Sequence, residues 1–121
     1  MERVPTPDEV RALVQPLDEL DRKVLGGLLA LWMSEPARVR DREWTSQAFV
    51  QVATVAHGFD AEDGPATTED VERIRRYAAE HMQRVVRVGL SLFVRVAHDL
   101  QDRAGGFGLD SARECVRSYL E

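Results

Sequence analysis

Apolar residues recur every three or four positions along most of the chain, and this spacing predicts amphipathic helices. The first helix is predicted from Pro7 to Val14. Thr6 can cap it, and Glu9 at the third helical position completes a capping box. A longer, central helix is predicted from Leu17 to Met33. Its wide apolar face consists of Leu20, Val24, Leu25, Leu28, Leu29, Leu31 and Trp32.

Three further stretches are delimited by turn and capping residues. A third helix is predicted from Arg42 to His57, with Gly58 behind it as a left-handed C-terminal cap. The segment 59–66 is rich in aspartate, glycine and proline, so we predict a loop there. Residues 1–5 are predicted to form an N-terminal tail. A last helix, which opens on a second capping box, is predicted over 111–121.

The longest predicted helix covers residues 69–103, about 35 residues, and Thr67 or Thr68 can cap it. Apolar residues alternate with polar ones between Val86 and Val96, which also fits a strand. We favour the helix, because helical spacing explains the whole segment and the strand only its middle. An unbroken helix of this length measures about 50 Å, so we expect part of it to project or to pair with a second chain.

Together these elements predict an all-α fold: a single-domain bundle of four to five helices over residues 1–121. The composition, 44% apolar and 31% charged, is that of a soluble globular protein. The N-terminus lacks the features of a signal peptide, and no apolar run approaches the roughly 18 residues of a membrane span. We therefore expect a cytoplasmic protein that does not contact membranes.

Charge and cysteine content narrow the function classes. Sixteen basic residues against 21 acidic ones give a net charge of −5, which argues against indiscriminate coating of nucleic acid. All basic residues except Lys23 are arginine, a bias typical of a GC-rich bacterial genome. The only cysteine, Cys115, excludes an intramolecular disulfide and falls in an apolar helical pattern, so we expect a buried side chain.

The apolar arc of the long helix widens in its middle, and a helix that is apolar nearly all round is usually buried. This widening marks a candidate oligomer or partner interface formed by Val86, Val88, Leu90 and Val94. The alternative is that the helix is simply central to its own bundle. Our first hypothesis is a non-catalytic interaction or regulatory protein that forms a homodimer and holds an unidentified protein partner.

The second hypothesis is a helical nucleic-acid-binding protein, such as a transcriptional regulator. One face of the long helix carries an arginine stripe of roughly 33 Å, and arginines also precede the third helix, which presents two glutamines. The candidate nucleic-acid-binding residues are Arg73, Arg76, Arg84, Arg87 and Arg95 on the stripe, and Arg38, Arg40, Arg42, Gln47 and Gln51 around the third helix. Acidic residues interrupt and flank the stripe, which is also typical of a solvated helix face.

An enzyme is the third and least supported hypothesis. Two carboxylate pairs, Glu69 with Glu72 and Asp99 with Asp102, have the spacing with which all-α nucleotide pyrophosphohydrolases hold magnesium. The pairs lie about 40 Å apart on one predicted helix, so they meet only if the helix folds back near Gly89 or a second chain contributes. We predict no catalytic residue, no cofactor and no other metal site, because no motif for them is present.

The spacing of the three histidines along the chain does not predict a shared metal site. His81 and His98 lie 17 positions apart on the long helix, about 25 Å, and His57 closes the third helix, where it suits the helix dipole. We expect His81 to be a hydrogen-bonded histidine at the edge of the core. His98 with Asp102 has the spacing of half a metal site or of a surface ion pair.

Overall fold

The computed structural model describes residues 4–59, 67–101 and 109–120. In these ranges the chain forms helices and no strand, which confirms the all-α fold. The elements are α1 (Pro7–Val14), α2 (Glu19–Ser34), a short 3-10 helix (Pro36–Arg40), α3 (Arg42–Ala56), α4 (Thr68–Gln101) and α5 (Leu109–Leu120). The predicted loop over 59–66 lies almost entirely outside the described residues.

Side-chain caps determine where the helices begin. Thr6 Oγ1 accepts a hydrogen bond from the Glu9 amide at 3.2 Å, as predicted, and Thr67 caps α4. Asp18 caps α2 in the same way, so this helix begins two residues later than predicted. The last helix begins at Leu109, ahead of its predicted start at residue 111, so residue 111 lies inside the helix and not at its N-cap.

The end of α3 follows its sequence signal. Gly58 has a φ of 94°, a left-handed conformation that glycine adopts without steric cost. Its amide donates to the Val55 carbonyl at 2.9 Å, and the Phe59 amide donates to the Thr54 carbonyl at 3.1 Å. This Schellman arrangement satisfies the last carbonyls of the helix.

The long helix α4 is continuous through Gly89, so the strand alternative is wrong. Its apolar arc is buried in the bundle at Ile74, Ala78, Val85, Val88, Leu92, Val96 and Leu100. Helices α1, α2, α3 and α5 all contact α4. Because they cover it from Ile74 to Leu100, its length does not by itself require projection from the bundle or a second chain, contrary to our expectation.

Two glycines allow α2 to lie close to its neighbours. A Cβ atom on Gly27 would lie only 2.6 Å from Val52 Cγ1 of α3. On α4, a Cβ atom on Gly89 would lie 3.0 Å from the ring of Trp32 and 3.1 Å from Leu25. The helices therefore pack at distances that a larger residue at these positions would disrupt.

Substitution of Gly27 by alanine tests this close packing. We expect G27A to lower the free energy of unfolding by about 1–3 kcal/mol, because the stiff Val52 side chain must move. The matched control is G26A, whose new Cβ would be 3.4 Å from Leu120 Cδ1, an ordinary contact. This control should be neutral or stabilising by up to about 1 kcal/mol through helix propensity. Equal effects of the two variants in urea denaturation would contradict the packing argument.

Candidate functional site

An open groove lies between the 3-10 helix with the start of α3 on one side and the middle of α4 on the other. We name it the α3–α4 groove. Its apolar floor includes Val39, Met82, Val86, Leu90, Phe93 and Val94. Four of these, Met82, Val86, Leu90 and Val94, follow one another at intervals of four residues and form an apolar strip about 18 Å long on α4.

The structure places the four predicted interface residues in two different environments. Val86, Leu90 and Val94 line the α3–α4 groove, and Leu90 is 40% exposed. Val88 is buried in the core with 4% exposure, so it is not accessible to a partner, and this part of the predicted interface is wrong. The interface prediction thus reduces to one side of α4.

Basic residues line the same groove. Arg40 and Arg42 contribute from the 3-10 helix and the start of α3, and Arg87 contributes from α4. No carboxylate lines this groove within the part of the chain that the structure describes. Thr45 also lines it, and its buried Oγ1 has no hydrogen-bond partner among the described residues. The groove therefore combines an apolar floor with positive charge.

The other candidate nucleic-acid-binding residues around α3 do not line this groove. Arg38 forms an ion pair with Asp41 at 3.2 Å, and Gln47 and Gln51 are exposed on α3 outside the groove. The Asp41 carboxylate also accepts the Trp44 amide, a hydrogen bond that lowers the pKa of Asp41.

The arginine stripe of α4 is not a continuous surface. Arg73, Arg76, Arg84 and Arg87 are exposed, although Arg84 also lies near a buried carboxylate, whereas the Arg95 side chain is only 13% exposed. A phosphate backbone following α4 would therefore not meet all five guanidinium groups, and Arg95 is wrong as a phosphate contact.

The most buried charged group of the described chain is Asp21 of α2, at 1% exposure. Tyr77 donates its hydroxyl hydrogen bond to Asp21 Oδ1 at 2.6 Å, and His81 Nδ1 lies 3.1 Å from the same oxygen. Arg84 Nη2 lies 3.5 Å from Oδ2 and 2.8 Å from His81 Nδ1. We name these four residues the Asp21 cluster. It satisfies a carboxylate whose burial alone would be costly.

Aromatic rings extend the Asp21 cluster toward α3. The ring of His81 stacks on Tyr77 at 4.6 Å, and His57 meets Tyr77 edge-on at 5.1 Å. His57 Nδ1 lies 2.6 Å from the Ala53 carbonyl oxygen, so it caps α3 as predicted. Burial, followed by the hydrogen bond to Asp21, raises the pKa of the Tyr77 hydroxyl far above its usual value.

A second cluster surrounds Asp99 near the other end of α4, and we name it the Asp99 cluster. Arg95 and Asp99 form an ion pair, and the Tyr119 hydroxyl of α5 donates to Asp99 Oδ2 at 2.6 Å. Arg95 also donates to the Pro5 carbonyl at 3.1 Å, and the buried Cys115 Sγ lies 3.9 Å from Asp99. These contacts fasten the N-terminal segment and α5 to α4, and the expectation of a buried Cys115 is confirmed.

The ionisation of the Asp99 cluster follows from its contacts. Burial disfavours the charged form of Asp99, but the hydrogen bonds from Arg95 and Tyr119 outweigh it and lower the pKa of this carboxyl. Burial, with the hydrogen bond to Asp99, raises the pKa of Tyr119 to about 12. The Arg11 guanidinium lies over the Tyr119 ring at 5.5 Å from its centroid.

The structure does not assemble the candidate magnesium ligands within one chain. Because α4 is continuous, Glu72 near its start and Asp99 near its end stay about 40 Å apart. Asp102 lies outside the described residues. Among the residues described, no three histidine, cysteine or carboxylate side chains are grouped as metal ligands. Since α4 does not fold back near Gly89, the two carboxylate pairs could meet only if a second chain contributed one of them.

Sequence spacing could not reveal the two clusters. Asp21 and Tyr77 are 56 residues apart, and Asp99 and Tyr119 are on different helices, so no motif joins them. His81 was predicted to be hydrogen-bonded at the edge of the core, and this is confirmed. His98 Nδ1 lies 2.9 Å from Arg95 Nη2, which ties this histidine to the Asp99 cluster.

Alkaline titration tests the Asp99 cluster. The pKa of Tyr119 is 10.0 in an unfolded chain and about 12 here, so folding favours the protonated hydroxyl. The protonated Tyr119 hydroxyl therefore contributes fully to the free energy of unfolding below pH 10, and this contribution is lost as the pH rises from 10 to about 12. We expect tyrosinate absorbance to remain low at pH 10, and Y119F to remove this part of the alkaline destabilisation. Half-maximal tyrosinate at pH 10 in folded protein would contradict the cluster.

The α3–α4 groove thus combines apolar and basic residues, and the Asp21 and Asp99 clusters join helices of the described chain. Within the described residues, no helix has both the length and the apolarity needed to cross a membrane. Comparison with protein families, with curated proteins and with solved structures found no match to this chain.

Proposed function

We propose that this protein is a non-catalytic interaction or regulatory protein that acts through protein–protein contacts at the α3–α4 groove. The observation that carries the proposal is the apolar strip on α4, which the other helices leave partly uncovered around Leu90. Exposed apolar patches bordered by polar groups are typical of protein interaction sites. We further propose that it acts in the cytoplasm, where its single buried thiol stays reduced.

The first partner that we propose is a second copy of the chain. A twofold homodimer uses the same patch on both subunits, so a single apolar strip is sufficient to build the interface. The regular spacing of Met82, Val86, Leu90 and Val94 suits packing against an antiparallel copy of α4. Burying the exposed part of Leu90 contributes about 1 kcal/mol per subunit.

A nucleic-acid-binding function is the second candidate, and the arginines of the α3–α4 groove favour it. Arg40, Arg42 and Arg87 would contact phosphates, and binding would weaken steeply with salt. The floor of the groove favours a protein partner over a nucleic acid, because Leu90 and Phe93 offer no hydrogen bond to a sugar–phosphate backbone or to a base edge. Salt-sensitive binding of mixed-sequence DNA or RNA, lost in an R40E/R87E double variant, would support the second candidate.

Charge insertion into the apolar strip tests the homodimer. We expect L90E to weaken self-association by at least about 100-fold, because two carboxylates would enter an apolar interface. The matched control is V50E on α3, since Val50 is 41% exposed, almost the same as Leu90, and does not line the groove. Sedimentation velocity over a micromolar concentration series measures both variants, and circular dichroism confirms that they fold. A wild-type monomer throughout, or equal effects of L90E and V50E, would refute the proposal.

A further inference from the structure

A second groove lies between α2 and α5 and shares no lining residue with the α3–α4 groove. We name it the α2–α5 groove. Its floor is formed by Gly26, Ala30, Leu31, Met33, Val116 and Leu120. Two of these residues, Gly26 and Ala30, are small, so a bound segment could bring its backbone close to α2.

The shape of the α2–α5 groove matches a helix. On α2 the lining residues run from Glu19 to Ser34 and recur every three or four positions, which covers about 22 Å. On α5 they run from Arg113 to Leu120 with the same spacing, about 10 Å. A helix of two to four turns laid between these walls would contact both along one side.

The rim of the α2–α5 groove is basic although the whole protein carries a net charge of −5. Arg22 and Lys23 contribute from α2, and Arg113 and Arg117 from α5. The only carboxylate among the described lining residues is Glu19, which lies 3.9 Å from Lys23. Positive charge on both walls favours an acidic ligand.

The cations of α5 are the ones that a ligand would meet first. Arg22 is already held, because its Nη2 donates to the carbonyl of Gln15 at 3.2 Å. Arg113 and Arg117 are exposed, and neither has an ion pair within the described part of the chain. They lie four residues apart, so both guanidinium groups face the same side of α5.

We propose that the α2–α5 groove binds an acidic amphipathic helix from a protein partner. The apolar side chains of that helix occupy the floor, and its carboxylates pair with Arg113 and Arg117. Both walls have helical spacing and positive charge that match such a helix, and the site is independent of the homodimer because the two grooves share no lining residue.

A synthetic peptide provides the probe. A labelled helical peptide of about 14 residues carries leucine at every third or fourth position and glutamate beside them, and fluorescence anisotropy reports its binding. One control peptide replaces each glutamate with lysine, and another scrambles the order so that no apolar face forms. We expect saturable, salt-sensitive binding of the acidic peptide, and at least about tenfold weaker binding of either control.

Paired protein variants locate the binding. R113E/R117E should weaken binding of the acidic peptide by at least about tenfold. R73E/R76E makes the same charge change on the exposed start of α4 and should alter binding by less than about threefold. The L90E variant should bind the peptide as the wild type does, which separates this result from failure of the homodimer.

Several outcomes would overturn the proposal. One is that the acidic peptide shows no saturable binding to the wild type. Another is that the lysine peptide binds as tightly as the acidic peptide. A third is that R113E/R117E and R73E/R76E lose the same affinity for the acidic peptide. Binding of decanoate without binding of the acidic peptide would assign the groove to a small anionic amphiphile instead. Even if R113E/R117E does not fold, the affinities of the acidic and control peptides for the wild-type protein decide whether the proposal holds.

Discussion

Burial of one face of α4 is the constraint on which the rest of the structure depends. Each of the other α-helices contacts this helix, and its apolar residues are buried from Ile74 to Leu100. A helix of 34 residues is longer than any of its neighbours, so several shorter helices share the task of covering it. The stretch around Leu90 that they leave partly exposed is the floor of the α3–α4 groove.

Two ionic clusters, one around the buried Asp21 and one around the half-buried Asp99, join α2 and α5 to α4. In each cluster α4 supplies an arginine, and a carboxylate accepts a hydrogen bond from a tyrosine hydroxyl. The Asp21 cluster fastens α2 and the Asp99 cluster fastens α5. Since α2 and α5 are the walls of the α2–α5 groove, the clusters also position that surface. Their polar groups are costly to bury unless paired, so they favour one arrangement of the helices.

Local features of the sequence were sufficient to predict the helices. The Thr6 cap, the Gly58 stop and the helical spacing of α4 each act within a few residues, and the structure confirms them. Long-range features were not accessible in this way. The helical spacing of apolar residues could not show that Val88 is buried by the neighbouring helices while Leu90 stays partly exposed, since both flank the same apolar arc. Arg95 turns inward because Asp99 and the Pro5 carbonyl provide partners that periodicity does not reveal.

We propose above that the partly exposed apolar strip of α4 is a surface for contact between copies of the chain. Methyl-labelled NMR spectra of the wild type, recorded from dilute to concentrated samples, test it most directly. If copies of the chain meet at this strip, the methyl signals of Val86, Leu90 and Val94 shift with concentration while those of Leu13 and Val50, also partly exposed, stay unchanged. Constant spectra, or shifts of equal size at all five residues, would contradict it.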